Sequence, residues 1–232
     1  MFGKTKLWAR YIKVIFIKEI EDYSELLNKR ILPSFNDIEK EAAKIKERVF
    51  KEMSTSYNEY MDLSEAAETA TEDAVDYYVT QKDLRQGILN MFAIAFYHLF
   101  EQQCILFLRR ELLSVNEQNN NKLMKFKEFE SRLKKYGIKV GDYHSYKKVE
   151  ELQLVANVTK HAEGRSSKKL KLMRPDLFEN PNCSFNDTYN LKNNITIYEP
   201  LFGQDLYISS NDLNSYAKSI KDFWTEFINC IN

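Results

Sequence analysis

The sequence predicts an all-α protein, an antiparallel helical bundle with a small β-hairpin before its last helix. Three observations carry that expectation. Only 6 glycines and 4 prolines punctuate 232 residues, whereas a sandwich of short strands needs turn residues every ~8–12 positions. Hydrophobic residues make up 44% of the chain and aromatics 13%, enough for a core and too many for wholesale disorder. The apolar residues also recur at three- and four-residue spacing, the period of a helix. Lys plus Arg equals Asp plus Glu at 34 each, which excludes a globally basic, histone-like binder and leaves room only for a local basic patch.

Residues 1–20 form a short basic segment whose period fits strand or helix. Over 23–54, Leu26, Leu27, Ile31, Ile38, Ala42, Ile45 and Val49 mark a helical face. Pro33 interrupts it, and Ser34, Asn36 or Asp37 is available to cap the next helix. Residues 52–81 hold eight acidic side chains and no Lys or Arg. Leu63, Ala67, Ala70, Ala74 and Tyr77/Tyr78 give them a weak apolar face. The acidic side is a solvated helix surface, or else a dock for a basic protein partner or a mask for the chain's own basic patch.

A helix over 81–113 is apolar on all sides between Met91 and Leu108, the mark of a central buried helix. His98, Glu101 and Gln102 share one face of it, flanked by Tyr97 and Gln103, and buried polar groups require polar neighbours. Beyond the polar loop 116–121, a helix over 122–136 presents Leu123, Phe126, Phe129 and Leu133, with Gly137 as a left-handed cap. The next, over 146–162, presents Val149, Leu152, Val155 or Ala156, and Thr159, and Gly164 closes it. Ser166 or Ser167 caps a short helix stopped by Pro175. Residues 179–194 read as an Asn-rich loop. Segments 194–200 and 205–209 alternate as strands of the hairpin, turning around Gly203. Asn211 or Asp212 caps a last amphipathic helix bearing Leu213, Tyr216, Ile220, Phe223, Phe227 and Ile231. One organisation follows: residues 1–80 as a helical region packing on a core at 81–178, and 179–232 completing the same domain.

Cys104, Cys183 and Cys230 are scattered and odd in number, unlike a disulfide framework or a zinc knuckle. The apolar run at 14–17 is shorter than a signal-peptide core, and the apolar window 88–108 carries Asn90, His98, Glu101, Gln102 and Gln103, costly groups at membrane depth. A cytoplasmic protein without a membrane span is expected. The glycosylation patterns at Asn157, Asn182, Asn186 and Asn194 are chance products of an Asn-rich chain. His98-x-x-Glu101 reverses the Glu-x-x-His order of di-iron bundles and has no second copy, so no metal and no cofactor is expected. No P-loop, dinucleotide fingerprint or nucleophile elbow is present.

Chemistry concentrates near His161. Asn157 precedes it by one helical turn, placing amide and imidazole on one face, and the helix C-terminus favours an imidazolium. Lys160, Arg165, Lys168, Lys169, Lys171 and Arg174 add six positive charges against Glu163 alone. Cleavage of RNA by its own 2′-oxygen needs a proton-transfer group near neutrality and a cation for the phosphate, and this segment holds both types. The opposing interpretation is an exposed basic helix face with His161 capping a carbonyl. Glu101 is expected to face Lys160 or His161 across the bundle and orient them, with His98 and Gln102 beside it.

The stretch EELQLVANVTKHAEGRSSKKLKLMRPDLF, preceded by FAIAFYHLFEQQCILFLRREL, resembles the HEPN superfamily over residues 83–178. That resemblance implies an antiparallel helical bundle and a motif of Arg, a polar residue, three residues, then His. It also implies a dimeric, metal-independent ribonuclease of antiphage or toxin–antitoxin systems, with Arg and His from both subunits on the scissile phosphate. Asn157 matches the polar residue and His161 the histidine, whereas Ala156 stands where the Arg is expected. A substitute would come from Arg109, Arg110 or a second subunit. The chain is thus expected to form a homodimer that cuts or grips RNA, or alternatively to be a non-catalytic helical interaction module with a degenerate motif.

Overall fold

The computed structural model describes residues 5–55, 63–181 and 196–231. Cys183, the patterns at Asn182, Asn186 and Asn194, and most of the Asn-rich loop lie outside the described residues. The N-terminal segment of ambiguous period is helical. α1 (Thr5–Tyr11) runs through a π turn (Ile12–Phe16) into α2 (Ile17–Leu26) and a second π turn (Leu27–Ile31). Trp8, Ile12, Phe16, Ile20 and Leu27 form its buried stripe, spaced by four or seven residues as one helix face requires. Pro33 sits in a 3₁₀ turn, Leu32–Phe35, and α3 (Ile38–Thr55) starts just beyond it.

α4 (Leu63–Phe107) is a single helix of 45 residues, continued by a π turn, Leu108–Leu112. Residues 63–81 of the acidic stretch and the central helix are therefore one rod, and the division at residue 80 falls inside it. Its N-terminal half lies against α3, where Ile38 and Ala42 are buried on one helix and Ala66, Ala70 and Ala74 on the other. Alanine side chains let two helix axes approach closely. Tyr77 donates to Glu41 at 2.5 Å and Lys82 pairs with Glu39 at 3.0 Å, pinning the two helices together. The C-terminal half buries Leu89, Ala93, Phe96, Phe100, Cys104 and Phe107. Burial is confined to that face: Leu84 and Met91 are 42% and 49% exposed, so the helix is central without being enclosed. The stretch Leu63–Leu112 is long and apolar enough to cross a membrane, with a mean hydropathy of 1.4 over its most apolar window, 44% of which is buried in this fold.

α5 (Phe126–Lys135), α6 (Tyr146–His161), α7 (Arg165–Met173) and α8 (Ser210–Ile231) complete the bundle. Aromatic rings fill its centre: Phe100 lies 4.9 Å from Phe223, Phe107 5.0 Å from Phe227, and Phe16 4.9 Å from Trp224. Buried Gln103 is satisfied on both ends, accepting from the Trp224 indole at 2.7 Å and donating to the Phe16 carbonyl at 3.1 Å. That carbonyl ends a π turn, where a helix leaves a backbone acceptor without its usual donor.

The β-hairpin is not formed; no strand occurs among the described residues. The chain at 196–209 is irregular, with a 3₁₀ turn at Pro200–Phe202. Its backbone finds partners elsewhere. Asn90 of α4 donates to the carbonyls of Pro200 and Leu206 at 2.6 and 2.8 Å, and Gln86 to that of Ile208 at 2.9 Å. The Tyr207 N–H goes to Leu177, and those of Tyr198 and Glu199 to the Asp205 carboxylate. With those groups satisfied by α4 and by loop neighbours, a strand ladder has little left to join. Gly203 (φ +92°) makes the closest approach, its missing Cβ position lying 2.1 Å from the Asp83 carbonyl oxygen. α8 is capped by Ser209, whose Oγ accepts from the Asp212 N–H at 3.1 Å while Asp212 accepts from the Ser209 N–H at 3.0 Å. This reciprocal pair starts the helix two or three residues earlier than Asn211 or Asp212 would.

Candidate functional site

α6 carries its apolar residues inward and ends abruptly. Val149, Leu152, Val155, Ala156 and Val158 are buried. The helix closes at Ala162, two residues before Gly164, with φ 55° and ψ −125°. A positive φ is costly for a residue with a Cβ, and it falls directly after His161. This sharp exit leaves His161 exposed on the last turn, with Asn157 half-buried one turn earlier and Lys160 exposed beside it. Among the described residues neither the His161 nor the Asn157 side chain has a hydrogen-bond or ion-pair partner. Ala156 is 1% exposed, so the position where the family pattern carries Arg points into the core.

α7 starts at once, fastened by buried Ser167. Its Oγ accepts from the Gly164 N–H at 2.9 Å and donates to Glu163 at 2.7 Å. That bond, with Lys171 3.0 Å away, holds the Glu163 carboxyl below the usual carboxylate range. The six cations divide. Arg165, Lys168 and Lys169 are exposed, like Lys160. Lys171 pairs with Glu163 and lies over the Phe178 ring. Arg174 turns inward to Glu151, Asp176 and Asp212 at 2.6, 2.6 and 2.9 Å. These last two cations hold the fold together.

Across from α6, α4 presents the expected polar face. His98 Nε2 lies 3.0 Å from Lys160 Nζ, and His98 Nδ1 lies 3.4 Å from Glu101. Glu101 thus reaches Lys160 through His98. Gln102 is exposed on the same helix. Tyr97 accepts from Gln153 of α6 at 2.6 Å, and burial pushes its hydroxyl pKa up.

Sequence reasoning did not single out Glu151. It is buried and accepts from Lys148, Arg174 and Tyr216 at 2.7, 2.6 and 2.7 Å. The available signal was a carboxylate directly beside Leu152 on the inward side of α6. Among the described residues, no three His, Cys, Asp or Glu side chains gather where they could hold a metal ion. No protein-family model matches the chain, and no curated protein or solved structure matches it either.

Proposed function

We propose that this chain is a cytoplasmic, HEPN-like, RNA-directed protein of bacterial defence or toxin–antitoxin type. It cuts RNA without metal through His161, assisted by Asn157 and by the exposed cations Lys160, Arg165, Lys168 and Lys169. The observation that carries the proposal is the exposed imidazole at the end of α6, unpartnered among the described residues, in a segment whose cations Lys160, Arg165, Lys168 and Lys169 are exposed too. An imidazole is a suitable proton-transfer group, and four exposed positive charges in the same segment suit a phosphodiester chain. The protein acts as a homodimer in this proposal, and the half-exposed apolar face of α4 at Leu84 and Met91 supports it.

The test is incubation of the full chain with single-stranded and transfer RNA in the presence of a metal chelator. Cleavage leaving a 2′,3′-cyclic phosphate is expected, with a loss of at least about 100-fold in His161→Ala. The second reading, a non-catalytic interaction module, is favoured by the inward Arg174 and the buried Ala156. It is supported if wild type and His161→Ala are equally inert.

A further inference from the structure

We propose that His98 is a second catalytic group of this site: the general base of RNA transphosphorylation, working beside Lys160 with His161 as general acid. This rests on the RNA-cleaving reading above. An ammonium group can only donate, so the 3.0 Å contact from Lys160 Nζ requires an unprotonated Nε2 on His98. The ring proton then sits on Nδ1, toward Glu101 at 3.4 Å. A carboxylate behind an imidazole fixes its tautomer and stabilises the imidazolium formed when the ring takes a proton. The His98 side chain is 38% exposed.

Lys160 and His161 are successive residues on the last turn of α6, so the lysine that touches one imidazole is the chain neighbour of the other. His161 is the last residue of α6. The strained Ala162 follows directly, and strain of this kind gathers at functional positions. When a phosphate replaces His98 as the partner of Lys160, Nε2 is released to accept the ribose 2′-hydroxyl proton. The 2′-oxygen then forms its bond to phosphorus as the bond to the 5′-oxygen breaks, and His161 gives its proton to that leaving oxygen. The products are a 2′,3′-cyclic phosphate and a 5′-hydroxyl. The protons balance without metal or co-reactant, and solvent exchange resets both rings. Lys160 takes the phosphate-holding role for which Ala156 has no side chain.

The groups facing His98 are Glu101 and Tyr97 on its own helix and Lys160 on α6. Glu130 of α5 lies on the same side, accepting the Tyr146 hydroxyl at 2.6 Å and adding its charge to the rise in the Tyr97 pKa. The deciding experiment is the pH–rate profile of the full chain on a single-stranded RNA oligonucleotide, with folding followed by circular dichroism. Wild type is expected to give a bell. His98→Gln should lose about 100-fold in rate and the acid limb of the profile, with RNA affinity kept within a few-fold. Added imidazole should restore part of the rate of His98→Ala. If His98→Gln cuts at the wild-type rate while His161→Ala is dead, His98 is not the base and the proposed function stands. If wild type itself is inert, both fall. Loss of activity with the wild-type pH profile retained and no imidazole rescue also overturns the assignment, because it marks a purely structural role.

Discussion

The guanidinium of Arg174 joins Glu151 of α6, Asp176 of the turn after α7, and Asp212 of α8. Glu151 is buried, and removing Arg174 takes away one of its two cations, leaving Lys148 at 2.7 Å. Arg174→Ala is expected to cost about 3 kcal/mol in urea unfolding, whereas Lys168→Ala on the exposed side of α7 should stay within about 0.5 kcal/mol. The same cluster sets an acid limit. Hydrogen bonding to Arg174 holds the Asp176 carboxyl below its ordinary value. Burial pulls Asp212 upward, but hydrogen bonds from Ser209 and Arg174 outweigh it and its pKa is lowered too. With folded pKa values below the unfolded ones, the unfolded chain binds more protons in acid. Their stabilisation is complete above about pH 4 and disappears as pH falls through the folded values. Melting temperature should therefore drop between about pH 4 and pH 2, and less steeply in Arg174→Ala. Ala156→Arg, which restores the family pattern, should destabilise by about 3 kcal/mol or more without restoring a phosphate clamp, because the position points inward.

At the scale of elements, the end of α6 and the segment 196–209 carry the specific constraints. Ala162→Gly relieves a positive φ and should raise stability by about 0.5–1 kcal/mol. Gly203→Ala would drive a Cβ into the Asp83 carbonyl at a position with φ +92°. It is expected to lower stability by about 2 kcal/mol or more, measured by urea unfolding. Helix placement was legible where periodicity is local. Pro33 separates two helical stretches, Gly137 (φ +82°) follows α5, and the inward residues of α6 and α8 lie where their spacing puts them. The hairpin was misread because alternation alone does not say where a backbone finds its partners. Asn90 and Gln86, more than a hundred residues upstream, satisfy that backbone from the side.

For the whole molecule, zero net charge means that any RNA affinity must arise from one face. With Lys160, Arg165, Lys168 and Lys169 as the cations that the α6–α7 segment presents to solvent, log affinity for single-stranded RNA should fall with log salt at a slope of about −3. Neutralising Lys168 and Lys169 together should make that slope shallower by about 1.4, while Lys171→Ala should leave it unchanged and loosen the Glu163 turn instead.

The sequence by itself determined the helical class, the phase of α6, and the placement of Lys160 and His161 on its final turn with Asn157 one turn before. These follow from a 3.6-residue repeat that each helix carries within itself. The tertiary structure alone decided that Arg174 and Lys171 serve the fold while their neighbours face water, that Ala156 is enclosed, and that His98 meets Lys160. That last contact spans 62 residues of chain, and only the packing of α4 against α6 sets the distance between those two side chains.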